Sequence, residues 1–344
     1  MTTGAPPSPF RILEIGLAYF ASKTLLSAVG LELFTKLGED AKTGKELQQM
    51  LGLSDRANPD FFDALLALGF LEREGDGPGA RYRNTPDTSA FLIKGQEAYV
   101  GGILEMSETR LYDHWGNLTE ALTTGKPVNE VRITGGETAF QELYKDEALT
   151  ESFVEGMAGS LVHNAAALAE KYDFSRYTTL CDIGGSSGVL AIALARRHPH
   201  LKIITTDLPQ VTPHATKKIA GAGLSDRITV QDLNFLTDEF PKVDVITLSQ
   251  VLHDWDLPHK LHLIKSAYEA LPSGGALVVV ETLIDDARRK NAFGLLTSLN
   301  ALIEIGDGFD YTGADFRKWA KDTGFRRVEV IPLTGPSSAI IAYK

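Results

Sequence analysis

The stretch TLCDIGGSSGVLAIALARRHP, residues 179–199, decides the fold. It opens with a short apolar run, passes through a glycine cluster, and continues at helical spacing with arginines near its end. A strand that enters a helix through glycines brings its backbone close to a ligand, because glycine turns tightly and leaves space where a side chain would stand. Asp182 lies at the end of the predicted strand, and Gly184, Gly185 and Gly188 make the turn. Strand–helix packing alone also uses such a turn, so its surroundings must say what it holds.

Downstream, KIITTD, ITVQD, VDVITLSQVL and ALVVVE are short β-branched runs, separated for the most part by helical stretches. That alternation predicts the α/β class, with a doubly wound, mostly parallel sheet covered by helices on both faces. VEVIPL and SAIIAYK predict a terminal antiparallel hairpin. Upstream, residues 10–110 read as mostly helical. FRILEIGLAYFASKTLLSAVGLELFTKLG is apolar almost all round, more than one buried face needs, which predicts burial against a second copy of the chain. Thr43 and Glu46 in TGKELQQMLGL form a capping-box pattern. NPDFFDALLALGF reads as a helix ended by Gly69, and FLEREGDGPGARYRNTP as a hairpin. Three helices and a hairpin make a winged-helix arrangement. Its recognition-helix position, residues 59–68, is acidic and apolar, so dimerisation fits better than reading DNA. Residues 96–170 continue as helices around a loop at GKPVNE. The expected domains are therefore 1–110, helical and winged-helix; 111–170, a helical linker contributing to a substrate pocket; and 171–344, ligand-binding.

The 344 residues are 43% hydrophobic and 23% charged, the composition of a soluble globular protein. A formal charge of −11 argues against non-specific nucleic-acid binding. The single cysteine, Cys181, excludes an internal disulfide and points to a reducing compartment. MTTGAPPSPF lacks a signal-peptide pattern, and no continuous apolar run reaches membrane-spanning length. A cytoplasmic location without membrane attachment is expected.

The next strand ends in Asp207, whose carboxylate can accept from ribose hydroxyls. Ribose recognition alone leaves both a nicotinamide-dinucleotide enzyme and an S-adenosylmethionine enzyme open. Three features separate them. The turn is Asp-Ile-Gly-Gly-Ser-Ser-Gly, and an acid that would repel a pyrophosphate would favour an amino-acid ammonium. ITVQD ends in Asp232, able to accept from an adenine amino group. LSQVLHDWDLPHK sets His-Asp-Trp at the end of the fourth strand.

DIGGSSG, TTDLPQV, QDLNF, LHDW and ALPSGGALVVVE, in this order and spacing, resemble the plant-type and bacterial S-adenosylmethionine-dependent small-molecule O-methyltransferases. The N-terminal domain resembles theirs too, so the likeness covers nearly the whole chain. It implies S-adenosyl-L-methionine as cofactor, a small-molecule acceptor and a homodimer formed through the N-terminal domain. It also implies that the Asp182–Gly188 turn with Gly184 lines the methionine end. Asp207 and Leu208 would meet the ribose, Asp232 and Leu233 the adenine, Ser249 the adenine edge, and Trp255 its ring.

By the same resemblance His253 is the general base for a phenolic proton, with Glu281 holding one imidazole nitrogen. The family's second acid lies in a Gly-Gly-Lys-Glu-Arg-Thr-like turn. Here the turn reads GDGFDYT, so Asp310 takes the acid's place and Tyr311 that of the arginine. A free phenol (pKa about 10) gives its proton to an ordinary imidazole (about 6.5) only uphill. Asn300 and Glu304 in SLNALIE, with Tyr112, His114, Trp115, Tyr144, Met157 and His163, are candidate substrate walls. Several acids near His253 would also suit a product that becomes cationic. S-methylation of a thioether acid such as 4-methylthio-2-hydroxybutyrate, in dimethylsulfoniopropionate synthesis, is therefore an alternative. C-methylation of a 2-oxo acid and a non-catalytic ligand-sensing regulator are others. SLNALIE carries no histidine, and no metal site is expected.

Overall fold

The structure is a computed structural model describing residues 7–96, 98–129 and 139–344. Parts of the expected 96–170 helical region, at 97 and 130–138, lie outside these residues. The chain divides into two compact units, residues 1–111 and 112–344.

In the first unit the apolar stretch divides into helices Phe10–Gly16, Tyr19–Gly30 and Leu33–Leu37. Left-handed backbone at Glu32 (φ 58°) and Gly38 (φ 58°) bounds the third helix. Ala28, Val29, Leu33, Phe34 and Leu37 enter a core with Leu47, Phe62 and Leu65. Phe10, Ile12, Leu13, Ile15, Leu17, Tyr19 and Phe20 are exposed, so within one chain the stretch is buried only at its C-terminal end. Phe10–Gly30, at 21 residues and mean hydropathy 1.4, is long and apolar enough to cross a membrane by length and composition. It is interrupted by polar positions, among them the Arg11–Glu14 pair at 2.7 Å. Thr43 caps Gly44–Leu51 in the capping box with Glu46. Strands β1 (Lys42–Thr43), β2 (Leu71–Glu74) and β3 (Arg81–Asn84) form an antiparallel sheet in the order β1-β3-β2, completing the helix-and-wing pattern.

The second unit holds β4 (Thr179–Ile183), β5 (Lys202–Asp207), β6 (Ile228–Asp232), β7 (Val245–Ser249), β8 (Ala276–Glu281), β9 (Arg327–Pro332) and β10 (Ser338–Tyr343). Their order is β6-β5-β4-β7-β8-β10-β9, parallel from β6 to β8. The terminal hairpin adds β10 antiparallel to both β8 and β9. Alternation along each strand feeds two cores. Leu180, Ile203, Val245, Val278 and Ile341 face one. Cys181, Ile246, Leu248, Val279 and Ile340 face the other. With both faces buried, the strands read as near-continuous apolar runs. The carboxyl ends of β4, β5, β7 and β8 deliver Asp182, Asp207, Ser249 and Glu281, and strand order reverses between β4 and β7. That reversal is where such sheets bind ligands.

Candidate active site

The glycine turn stays open because side chains have no room there. A Cβ on Gly184 (φ +67°) would stand 2.9 Å from Val251 Cγ2, and one on Gly185 2.1 Å from Thr205 Oγ1. Gly184 therefore sits directly against the segment that follows β7. Asp182 is buried beneath this turn, its Oδ1 accepting from the Thr247 hydroxyl at 2.6 Å and its Oδ2 without a partner. Burial pushes its carboxyl up to about 7, opposed by the Thr247 bond and aided by Asp207. Placed there, Asp182 supports the turn from below.

At the end of β5, Asp207 accepts from the Ser186 N–H through Oδ2 and the Leu208 N–H through Oδ1, both at 2.8 Å. Those bonds fix the carboxylate plane and leave further lone-pair positions. Burial raises it to about 6, and the two amides limit the rise. Exposed Asp232 accepts from Thr212 at 2.6 Å, while Leu233 is buried and bonds through its N–H to the Asp207 carbonyl. Ser249 Oγ and Ser186 Oγ are buried without partners. Trp255 stands edge-on to Phe235, with ring centroids 5.8 Å apart, and tilts against Phe140 at 6.2 Å. Phe140 also meets Tyr144 and Phe153. A paired acid, open glycine backbone, unpartnered serines and an aromatic wall together fit the ribose, amino-acid end and adenine of S-adenosylmethionine. The acceptor candidate Tyr144 belongs near this wall: burial, then the charges of Asp207 and Asp254, hold its phenol well above its usual range.

His253 lies in the turn Leu252–Asp254 after β7. The turn is bounded by Gln250, at φ 55°, and by Asp256, which caps Leu257–Ala270 through the His259 N–H at 3.0 Å. The imidazole sits between two acids, Nε2 3.3 Å from Asp254 and Nδ1 3.6 Å from Asp310. Glu281 is not at the ring, as the resemblance implied. Its Oε1 accepts from the His253 backbone N–H at 3.1 Å, because the end of β8 faces the main chain of the turn. Burial pulls the imidazole down, but Asp254, Asp310 and Glu281 outweigh it and raise it to about 10. Burial, chiefly, raises the Glu281 carboxyl as well. Asp310 reaches the ring because its loop passes close by. A Cβ on Gly308 would be 2.9 Å from the carbonyls of both His253 and Asp254. The loop is pinned by the Asp310 N–H to Ser298 (3.1 Å), by the Tyr311 carbonyl to Ile284 (3.0 Å) and by the Thr312 cap.

Four acceptor candidates pair with one another. His114 Nδ1 meets Glu304 at 2.8 Å, and Trp115 Nε1 donates to Asn300 Oδ1 at 2.9 Å. Glu304 lies close enough to add its charge to Asp254, which burial, above all, raises to about 6. Tyr112 is half-buried on the same short helix as His114 and Trp115. Met157 and His163 are half-buried on Glu147–Lys171. Among the described residues no group of three or more His, Cys, Asp or Glu side chains is arranged to hold a metal ion.

Sequence reasoning missed Phe140, Phe153 and Phe235, and above all Lys260, which is fully buried behind His253. The signal was available: Lys260 lines up with the buried Leu263, Ile264 and Ala267 at helical spacing, on the face that should be apolar.

The family model described as an O-methyltransferase domain matches residues 115–326. The chain is 36% identical over 336 residues to the tetracenomycin polyketide synthesis 8-O-methyl transferase TcmO of Streptomyces glaucescens, covering 98% of this chain and 97% of that one. It is 35% identical to the N,N-dimethyltransferase OxyT of Streptomyces rimosus, over 94% and 92% of the two chains. The crystal structure of human N-acetylserotonin methyltransferase in complex with S-adenosylmethionine superimposes with a TM-score of 0.91. It is 26% identical and covers 100% of this chain and 99% of its own.

Proposed function

This chain belongs to the O-methyltransferase family and uses S-adenosylmethionine, and from that premise we propose that it methylates a phenolic hydroxyl of a small aromatic acceptor, with His253 taking the proton. The observation that carries the reading is the imidazole clamped between Asp254 and Asp310, beside the segment that touches the glycine turn. Bound S-adenosylmethionine supplies an electrophilic methyl group on a sulfonium. Asp207 would accept from the ribose hydroxyls, and the wall of Trp255, Phe140 and Phe235 would flank the adenine.

Asp310, 2% exposed, anchors Nδ1 and leaves Nε2, on the side of the more accessible Asp254, to receive the phenolic proton. With three carboxylates holding the imidazole at about 10, its affinity for the proton equals that of a phenol. The uphill transfer expected of an ordinary histidine is thereby removed, and proton transfer from the phenol comes close to balance. His114–Glu304 and Trp115–Asn300 would set the far wall of the acceptor site. TcmO, named for 8-O-methylation in polyketide synthesis, supports an aromatic polyketide-like acceptor.

The acids around His253 also favour a second reading, an acceptor that becomes cationic on methylation. This could be a thioether or, as the likeness to an N,N-dimethyltransferase suggests, an amine. Offering phenols, thioether acids and amines, with S-adenosylhomocysteine release and mass-spectrometric location of the methyl group as readouts, decides between them. An oxygen-methylated product is expected, and turnover confined to thioethers or amines would displace the phenolic reading.

The exposed apolar residues Phe10, Ile12, Ile15 and Phe20 support a homodimer covered by this face. Replacing Phe10, Ile12 and Ile15 by Ser should convert a dimer to a monomer in light scattering. A wild-type monomer would refute the assignment.

A further inference from the structure

Lys260 is a lysine with 0% exposure on the helix Leu257–Ala270, directly behind the His253 turn. An ammonium is rarely buried unless paired, since leaving water is costly for a charge. Its Nζ donates to the Trp255 carbonyl, two residues past His253. It also lies 3.6 Å from the centre of the Phe309 ring and 5.9 Å from that of Tyr311. We propose that Lys260 is a positioning residue of the methyl-transfer centre: its buried ammonium balances the carboxylates around His253 and holds the turn that carries the imidazole.

The groups facing it come from every element around it. Asp256 caps its own helix, Asp254 and His253 lie on the turn, Glu281 ends β8, and Asp310 and Tyr311 stand on the loop. Glu281 Oε2 and Asp310 Oδ2 are buried without hydrogen-bond partners, while Glu281 Oε1 takes the His253 backbone N–H and Asp310 Oδ1 stands 3.6 Å from the imidazole, which leaves part of their charge to a cation acting through space. Burial draws the Lys260 ammonium down to about 8 against the pull of Glu281, Asp254 and Asp310, which leaves it charged at neutral pH. Three carboxylates without this cation would hold the His253 proton more tightly. Lys260 therefore sets how easily the imidazole empties, while touching neither cofactor nor acceptor.

The inference rests on His253 as proton acceptor, and the test separates the two. The His253 ring is titrated by NMR in selectively histidine-labelled full-length protein, assigned with His253→Gln, in wild type, Lys260→Met and Lys260→Arg. Lys260 loses its proton near 8, before an imidazole near 10, so the permanently charged arginine isolates the effect of the cation: the His253 titration in Lys260→Arg should lie about one pH unit below that in Lys260→Met. Near pH 7, where Lys260 is charged, Lys260→Met should lower the rate of methyl transfer about tenfold with little change in cofactor affinity. Lys260→Arg should keep the wild-type rate there. If Lys260→Met does not fold, Lys260→Met combined with Glu281→Gln should, because one carboxylate has been removed with the cation. Equal His253 titrations in Lys260→Met and Lys260→Arg, or a double variant no more stable than the single one, would overturn the inference. A flat rate profile in the wild type with a shifted NMR titration would instead overturn the base role alone.

Discussion

The two halves of the site hold their charges by different means. At the end of β5, Asp207 is fixed by two backbone amides, Leu208 N–H beside it and Ser186 N–H in the glycine turn after β4. Around His253 the charges are side chains gathered from the turn after β7, the end of β8, the loop before Gly313–Thr323 and the helix Leu257–Ala270. A site built from backbone donors needs only the right turn, and it tolerates little variation in sequence. A site built from distant side chains can be retuned one residue at a time. On this account the cofactor half is generic and the acceptor half carries what distinguishes this enzyme.

The largest effect should come from removing the base. His253→Ala should lower the methyl-transfer rate by roughly 10²–10⁴, measured in single turnover, with cofactor affinity by calorimetry little changed. Equal losses in both would mean that the halves are not separable. Asp207→Ala should do the reverse, weakening cofactor binding by about 1.5–3 kcal/mol through loss of charge-assisted hydrogen bonds. Unchanged affinity would remove Asp207 from the ribose site.

What the sequence could disclose follows the same division. The strand run from TTLCDI to ALVVVE and the capping box at Thr43 depend on residues close in sequence, where periodicity and turn chemistry act. Spacing placed Glu281 at a strand end, but not which atom of His253 it meets. That depends on how far β8 extends beside β7, and the acid reaches the backbone amide instead of the ring. His114–Glu304 and Trp115–Asn300 were each visible as polar residues on helices, yet their pairing spans the acceptor region and is set only by tertiary packing. Lys260 was legible only as a lysine in line with Leu263, Ile264 and Ala267 in LPHKLHLIKSA, on the face that should be apolar; that its ammonium meets buried carboxylates is set by tertiary packing.

Smaller effects sharpen the contrast. Asp310→Asn removes one of the charges that raise the imidazole, so the rising limb of the rate profile should move to lower pH, by about one unit or more. A limb displaced upward would mean that Asp310 does not act on the ring. On the cofactor side, Asp207 is protonated as the pH falls through about 6, so affinity should decline below that value and be constant above it. Asp207→Asn should abolish this dependence, and a dependence that persists in the variant would assign the titration to another group.

The central claim is that His253 accepts the acceptor's proton from a setting that raises its basicity. The most direct measurement is the pH dependence of single-turnover methyl transfer to a phenolic acceptor at saturating S-adenosylmethionine. The account predicts a rate that climbs about tenfold per pH unit through neutrality and levels off only in the alkaline range, with the climb absent in His253→Ala. A rate constant across neutral pH, or a climb that survives His253→Ala, would contradict it.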